Sequence, residues 1–117
     1  MTDLRGKLQV RPGQVVAGVD APAQVPPDLL SGTDPATSDA VLVWVLTRDA
    51  LTERLDLLRQ TTQRGAVTWV AYPKAGALQT DLKRDVVREV AASVGLDTVR
   101  QVAVDDTWSA LRLKALT

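Results

Sequence analysis

The run Ala40-Val41-Leu42-Val43-Trp44-Val45-Leu46 decides the fold. Apolar residues fill it without a polar break, whereas a strand with one wet face alternates apolar and polar. A strand read this way is buried on both faces, as in a parallel sheet covered by helices. Ala66-Val67-Thr68-Trp69-Val70-Ala71 repeats the signature and ends at Tyr72-Pro73-Lys74. Between the two, Thr47-Arg48-Asp49 offers N-cap oxygens, and Leu51, Leu55 and Leu58 fall on one helical face. Gly65 is placed to stop that helix. The pattern predicts a helix packed against two parallel neighbouring strands.

Working outward, Thr80-Asp81 supplies N-cap chemistry for a second helix. Its apolar stripe is Leu82, Val86, Val87, Val90 and Val94, and Gly95 ends it. Leu96 to Val104 and Trp108 to Leu113 read as closing strands, and Asp105-Asp106-Thr107 is too short a link for anything but an antiparallel hairpin. On the N-terminal side, Gly13 to Val19 is a short apolar strand after an Arg11-Pro12-Gly13 turn. Pro22, Pro26 and Pro27 exclude a long helix between residues 20 and 28. Leu29-Leu30 ahead of Ser31-Gly32 is read as a short edge strand, with one helical turn as the alternative. Thr33 to Asp39 is loop. The order β, short β, β, α, β, α, β, β predicts a three-layer, Rossmann-like α/β sheet, mostly parallel, whose last strand runs against the rest.

The chain has 117 residues, room for one α/β domain over 1–117 in which 1–10 is a lead-in. Fourteen basic and fourteen acidic residues cancel, so no overall field draws it to nucleic acid or anionic lipid. Cys and His are absent, which excludes thiolate or imidazole metal ligands, disulfides, thiol nucleophiles and a Ser-His-Asp triad. The polar N-terminus has no apolar signal core, and no apolar run approaches the roughly 20 residues that cross a bilayer. The expected compartment is the cytoplasm.

Leu8-Gln9-Val10-Arg11-Pro12-Gly13-Gln14-Val15-Val16 resembles the lead-in to the first strand of class I methyltransferases. Arg64-Gly65-Ala66-Val67-Thr68-Trp69-Val70 and the final hairpin resemble later parts of the same sheet. More closely, the chain resembles a bacterial family of short α/β proteins with no assigned activity. Arg11-Pro12-Gly13, Ala71-Tyr72-Pro73-Lys74, Thr80-Asp81-Leu82 and Val104-Asp105-Asp106-Thr107-Trp108-Ser109-Ala110-Leu111-Arg112 carry that likeness. Methyltransferases cradle S-adenosylmethionine with a glycine-rich turn after the first strand, where backbone must pass close to the ligand. This chain has Gly18-Val19-Asp20-Ala21-Pro22-Ala23 there, and no acid ends a long second strand to hold a ribose. No cofactor is expected.

Ligands of open α/β sheets bind beyond the carboxyl ends of the parallel strands. That edge should collect Asp20, Thr47, Tyr72, Lys74, Thr80, Asp81, Asp106 and Trp108. Lys74, one of four lysines, follows a buried strand and a rigid Tyr-Pro. With the start of the next helix it would favour a small anion; the plain alternative is an exposed pairing of Lys74 with Asp81 or Asp106. Asp105-Asp106 reads as a turn rather than paired catalytic carboxylates, and Ser109 has no base to activate it. Trp44 and Trp69 read as core, while Trp108 is expected to be partly exposed. The arginines of both helices alternate with acids, a solvated surface rather than a nucleic-acid stripe. The leading expectation is a non-catalytic binding or interaction domain, with a protein partner, a small anion or a second copy of the chain as its occupant. A small enzyme or anion binder using Lys74 with Asp81 or Asp106 is second, and a methyltransferase third.

Overall fold

The structure, a computed structural model, describes residues 4–23, 25, 29–32, 34–74, 76, 78 and 80–116. Pro26 and Pro27, read above as helix breakers, lie outside them. The elements in chain order are α1 (Leu4–Lys7), β1 (Val16–Val19), β2 (Ala40–Trp44), α2 (Arg48–Glu53) and α3 (Leu55–Gln63). They continue with β3 (Val67–Pro73), α4 (Arg84–Ala92), β4 (Leu96–Ala103) and β5 (Trp108–Ala115).

The five strands form one sheet in the order β1-β2-β3-β5-β4. β1, β2 and β3 pair in parallel, with Val16 opposite Ala40 and Leu42 opposite Trp69. β5 runs antiparallel to both β3 and β4, so it alone opposes the common direction. β2 and β3 are therefore parallel neighbours, interior to the sheet and buried, as their mostly apolar, non-alternating runs require.

Alternation along each strand sorts the core into two layers. On one face Val41, Val43, Val70, Leu111 and Leu113 meet Leu51, Leu58, Val87 and Val90 from the helices. On the other, Leu42, Trp44, Trp69, Ala71 and Ala110 meet Leu8, Val10 and Leu29. The lead-in thus forms the third layer: the Trp69 indole N–H donates to the Leu8 carbonyl at 2.9 Å. Thr68, a hydroxyl inside a buried strand, is satisfied by Thr61 of α3 at 2.9 Å. Truncating a fully buried leucine such as Leu58 in this packing costs about 2–5 kcal/mol.

Several expectations change in detail. The helix after β2 is two: Arg54 breaks it, its N–H turning back to the Leu51 carbonyl three residues away. Thr52 contributes by donating its hydroxyl to the Arg48 carbonyl, a bond that bends helices. β1 is shorter than the apolar run, because Gly13, at φ +85°, and Gln14 belong to the turn, and Val15 is exposed. Leu29-Leu30 is not a strand. Instead Gly32 makes a single parallel bridge to Ala17, held by Ser31 and Gly32 N–H groups that both donate to the Val16 carbonyl. The second predicted helix starts at Arg84, with Lys83 as an N-cap that offers no side-chain bond, because Thr80 and Asp81 are engaged elsewhere.

Candidate functional site

The carboxyl ends of β1, β2 and β3 bring Asp20, Thr47 and Lys74 to one edge of the sheet, and the antiparallel β5 begins there at Trp108, opposite Pro73. Three of the candidate side chains are held by local bonds. Thr47 caps α2, accepting from the Ala50 N–H at 3.1 Å. Thr80 donates to the Leu46 carbonyl at 2.6 Å and accepts from the Leu82 N–H at 3.0 Å. Asp81 accepts from the Arg48 N–H at 2.8 Å. The chain ahead of α4 is thereby tied to the end of β2, and the Asp81 carboxylate serves α2 rather than α4.

Asp105 makes the hairpin turn, accepting from the N–H groups of Thr107 and Trp108, both at 2.8 Å. Asp106 beside it is exposed. The Lys74 N–H donates to the Thr107 carbonyl at 2.8 Å, which holds the backbone at the mouth of the edge. Among the described residues, no hydrogen bond or ion pair engages the Lys74 ammonium, so the alternative, a pairing with Asp81 or Asp106, is not formed.

Tyr72 and Trp108 leave the edge in opposite directions. Tyr72 points into the helix-side core, where its hydroxyl accepts from Gln101 at 3.1 Å. Burial pushes its pKa up; the nearby Arg84 pulls it down and Asp85 adds a smaller push upward. Trp108 is only 7% exposed, on the opposite face with Trp44 and Trp69, rather than partly open. Its width and greasy surroundings bury it, and its indole N–H finds no partner among the described residues. Tyr72 and Trp108 therefore do not converge on Lys74.

At the end of β1, Asp20 takes a left-handed φ of +57° and its carboxylate meets the Arg54 guanidinium at 2.7 Å. This ion pair bridges the β1 turn and the break between α2 and α3, a connection invisible to sequence periodicity. Gly18, the one glycine near the turn, is packed from within: a Cβ there would lie 2.7 Å from Leu30 and 3.2 Å from Trp44. Two surface depressions lie away from this edge. One of about 720 Å³ opens at the amino-terminal edge, lined by Gln9, Arg11, Gln14, Val67 and Arg112 among others, and another of about 390 Å³ runs between α4 and β4. Sequence reading missed the first, although Arg11-Pro12-Gly13 marked one wall of it.

Sheet order, strand directions and hairpin together define a methyltransferase-like α/β fold. A LepI variant solved in complex with SAH and a substrate analogue is similar, with a TM-score of 0.50 and 17% identity. The likeness covers 96% of this chain and 39% of that one, so the chain spans about two fifths of its length. LepI in complex with SAM aligns with a TM-score of 0.48 and 18% identity, over the same shares. The curated proteins offer no match in sequence. Residues 22–116 match the family described as a protein of unknown function, DUF3052, and the chain belongs to it.

Proposed function

We propose that this chain is a non-catalytic α/β binding or interaction domain, built on a methyltransferase-like sheet without the turn that holds S-adenosylmethionine. One observation carries the reading: the end of β1 is closed by the chain itself. Asp20-Ala21-Pro22 stands in place of a glycine-rich turn, and the Asp20 carboxylate is bound by Arg54 rather than left for a ligand hydroxyl. Leu30 fills the space over Gly18 through which a cofactor would approach the backbone. The partner is a protein surface, a second copy of the chain or a small anion, and zero net charge argues against nucleic acid and membrane. We place the domain in the cytoplasm; no described helix is long and apolar enough to cross a membrane.

Calorimetric titration with S-adenosylmethionine tests the reading, and no heat of binding is expected through millimolar cofactor. Micromolar binding, competed by S-adenosylhomocysteine, overturns it in favour of a methyltransferase.

A second reading, a small-anion site at Lys74, is favoured by this half-buried residue, whose ammonium no described acid pairs. Under it, Lys74→Ala abolishes anion-induced thermal stabilisation and leaves the ligand-free melting temperature almost unchanged. A response retained in the variant ends that reading.

A further inference from the structure

We propose that the depression at the amino-terminal edge of the sheet binds a phosphate group of a small molecule, with Arg11 and Arg112 as its anchors. Arg112 lies on β5 opposite Trp69 and lines the depression. One of its terminal nitrogens donates to the Gln9 side-chain carbonyl, yet its Nε is shut off from water without a hydrogen-bond partner among the described residues. A guanidinium N–H that has lost water without gaining an acceptor is costly, so a turn of this side chain toward an anion in the depression is favoured. Across the hairpin Arg112 faces Arg100 rather than an acid, and like charges directly opposite each other are unfavourable until an anion relieves them.

Arg11 forms the facing wall. The Arg11–Gln14 turn carries Pro12 and Gly13 at its centre, with Gly13 at φ +85°, and closes by a bond from the Gln14 N–H to the Arg11 carbonyl at 3.1 Å. Proline followed by a left-handed glycine is the signature of a type II turn, so this wall is stiff before any ligand arrives. The Gln14 side-chain carbonyl is already occupied by the Arg11 N–H at 2.8 Å, which leaves the amide NH2 of Gln14 as a donor. Both ionisable side chains that line the depression are arginines. A planar guanidinium matches the oxygens of a phosphate two at a time, which an ammonium cannot do. At about 720 Å³ the space exceeds one phosphate and suits a phosphorylated small molecule.

The site lies at the opposite edge of the sheet from Lys74, so substitution separates the two. The probes are inorganic phosphate and pyrophosphate, with sodium chloride of matched ionic strength as control. Phosphate or pyrophosphate is expected to raise the melting temperature by several degrees when well above its Kd. Arg112→Gln and Arg11→Gln should each reduce the shift, their combination should abolish it, and Lys74→Ala should leave it intact. In the unaltered protein, the NMR resonance of the Arg112 Nε–H should move on phosphate addition, a readout no folding defect in a variant can mimic. A response no larger than that of chloride overturns the proposal. So does a static Arg112 resonance, or a response lost in Lys74→Ala and kept in the arginine pair.

Discussion

The Asp81 carboxylate accepts a hydrogen bond at 2.8 Å from the backbone N–H of Arg48, the first residue of α2. The N-terminal N–H groups of a helix have no partner within it, and Thr47 satisfies that of Ala50. Asp81 satisfies the first, that of Arg48, from a position 33 residues further along the chain. Its negative charge also suits the positive end of the helix.

Asp81→Ala should therefore destabilise the fold by about 0.5–1 kcal/mol, the lower end of cap losses because the site is exposed. Asp81→Asn, which retains an acceptor oxygen, should recover part of it. Urea unfolding with an unchanged m-value is the measurement, and equal midpoints for Asp81→Ala and the unaltered protein would show that the bond contributes nothing.

Trp69 joins the sheet to the lead-in through its indole N–H and the Leu8 carbonyl. Trp69→Phe keeps most of the apolar body but removes the donor, leaving a buried carbonyl unpaired at a cost of about 1–3 kcal/mol. The loss should concentrate in the third layer. Tryptic cleavage after Lys7 should accelerate more than global unfolding does; cleavage that tracks global stability would instead show that the lead-in and sheet open as one unit.

The sheet was legible because its message is periodic. The non-alternating runs at Ala40–Leu46 and Ala66–Ala71, the leucine face of Leu51, Leu55 and Leu58, and the Asp105 turn each depend on neighbours in sequence. Asp20–Arg54 and Asp81–Arg48 depend on neighbours in space, 34 and 33 residues apart, and no local pattern announces them. Thr80-Asp81 shows how this misleads. Its residue types suit a cap for the next helix, but their oxygens go to Leu46, Leu82 and Arg48, and α4 begins at Arg84 without a side-chain cap. Trp108 was misjudged for a related reason: a strand start is open only if no layer covers it, and Trp44 and Trp69 lie on its side of the sheet.

Tyr72 is the one tyrosine of the chain, so its ionisation can be followed directly by tyrosinate absorbance. Burial raises its folded pKa above the usual value of about 10. The unfolded chain therefore loses this proton at lower pH than the folded one. The tyrosine's contribution is present in full below pH 10 and declines as pH rises through the folded pKa. Tyr72→Phe should show a shallower loss of stability on the alkaline side, and the unaltered protein should titrate later folded than in denaturant. Coincident titrations would refute the assignment.

Gly18 decides whether the end of β1 is packed or receptive. A Cβ at this position meets Leu30 at 2.7 Å, closer than carbon atoms tolerate, and Trp44 at 3.2 Å. The Leu30 contact is the end of a flexible side chain, so the fold should survive Gly18→Ala with an overpacking loss of about 1–3 kcal/mol. Leu30→Ala alone should also destabilise by leaving a gap against Gly18 and Trp44. Combined, the two changes should partly cancel, since the new methyl occupies space that Leu30 vacates, and the double-mutant cycle should give a coupling above about 0.5 kcal/mol. Strict additivity would mean that Leu30 does not seal Gly18. That result would remove the steric half of the case against a cofactor there, leaving only the Asp20–Arg54 pair and the missing glycines.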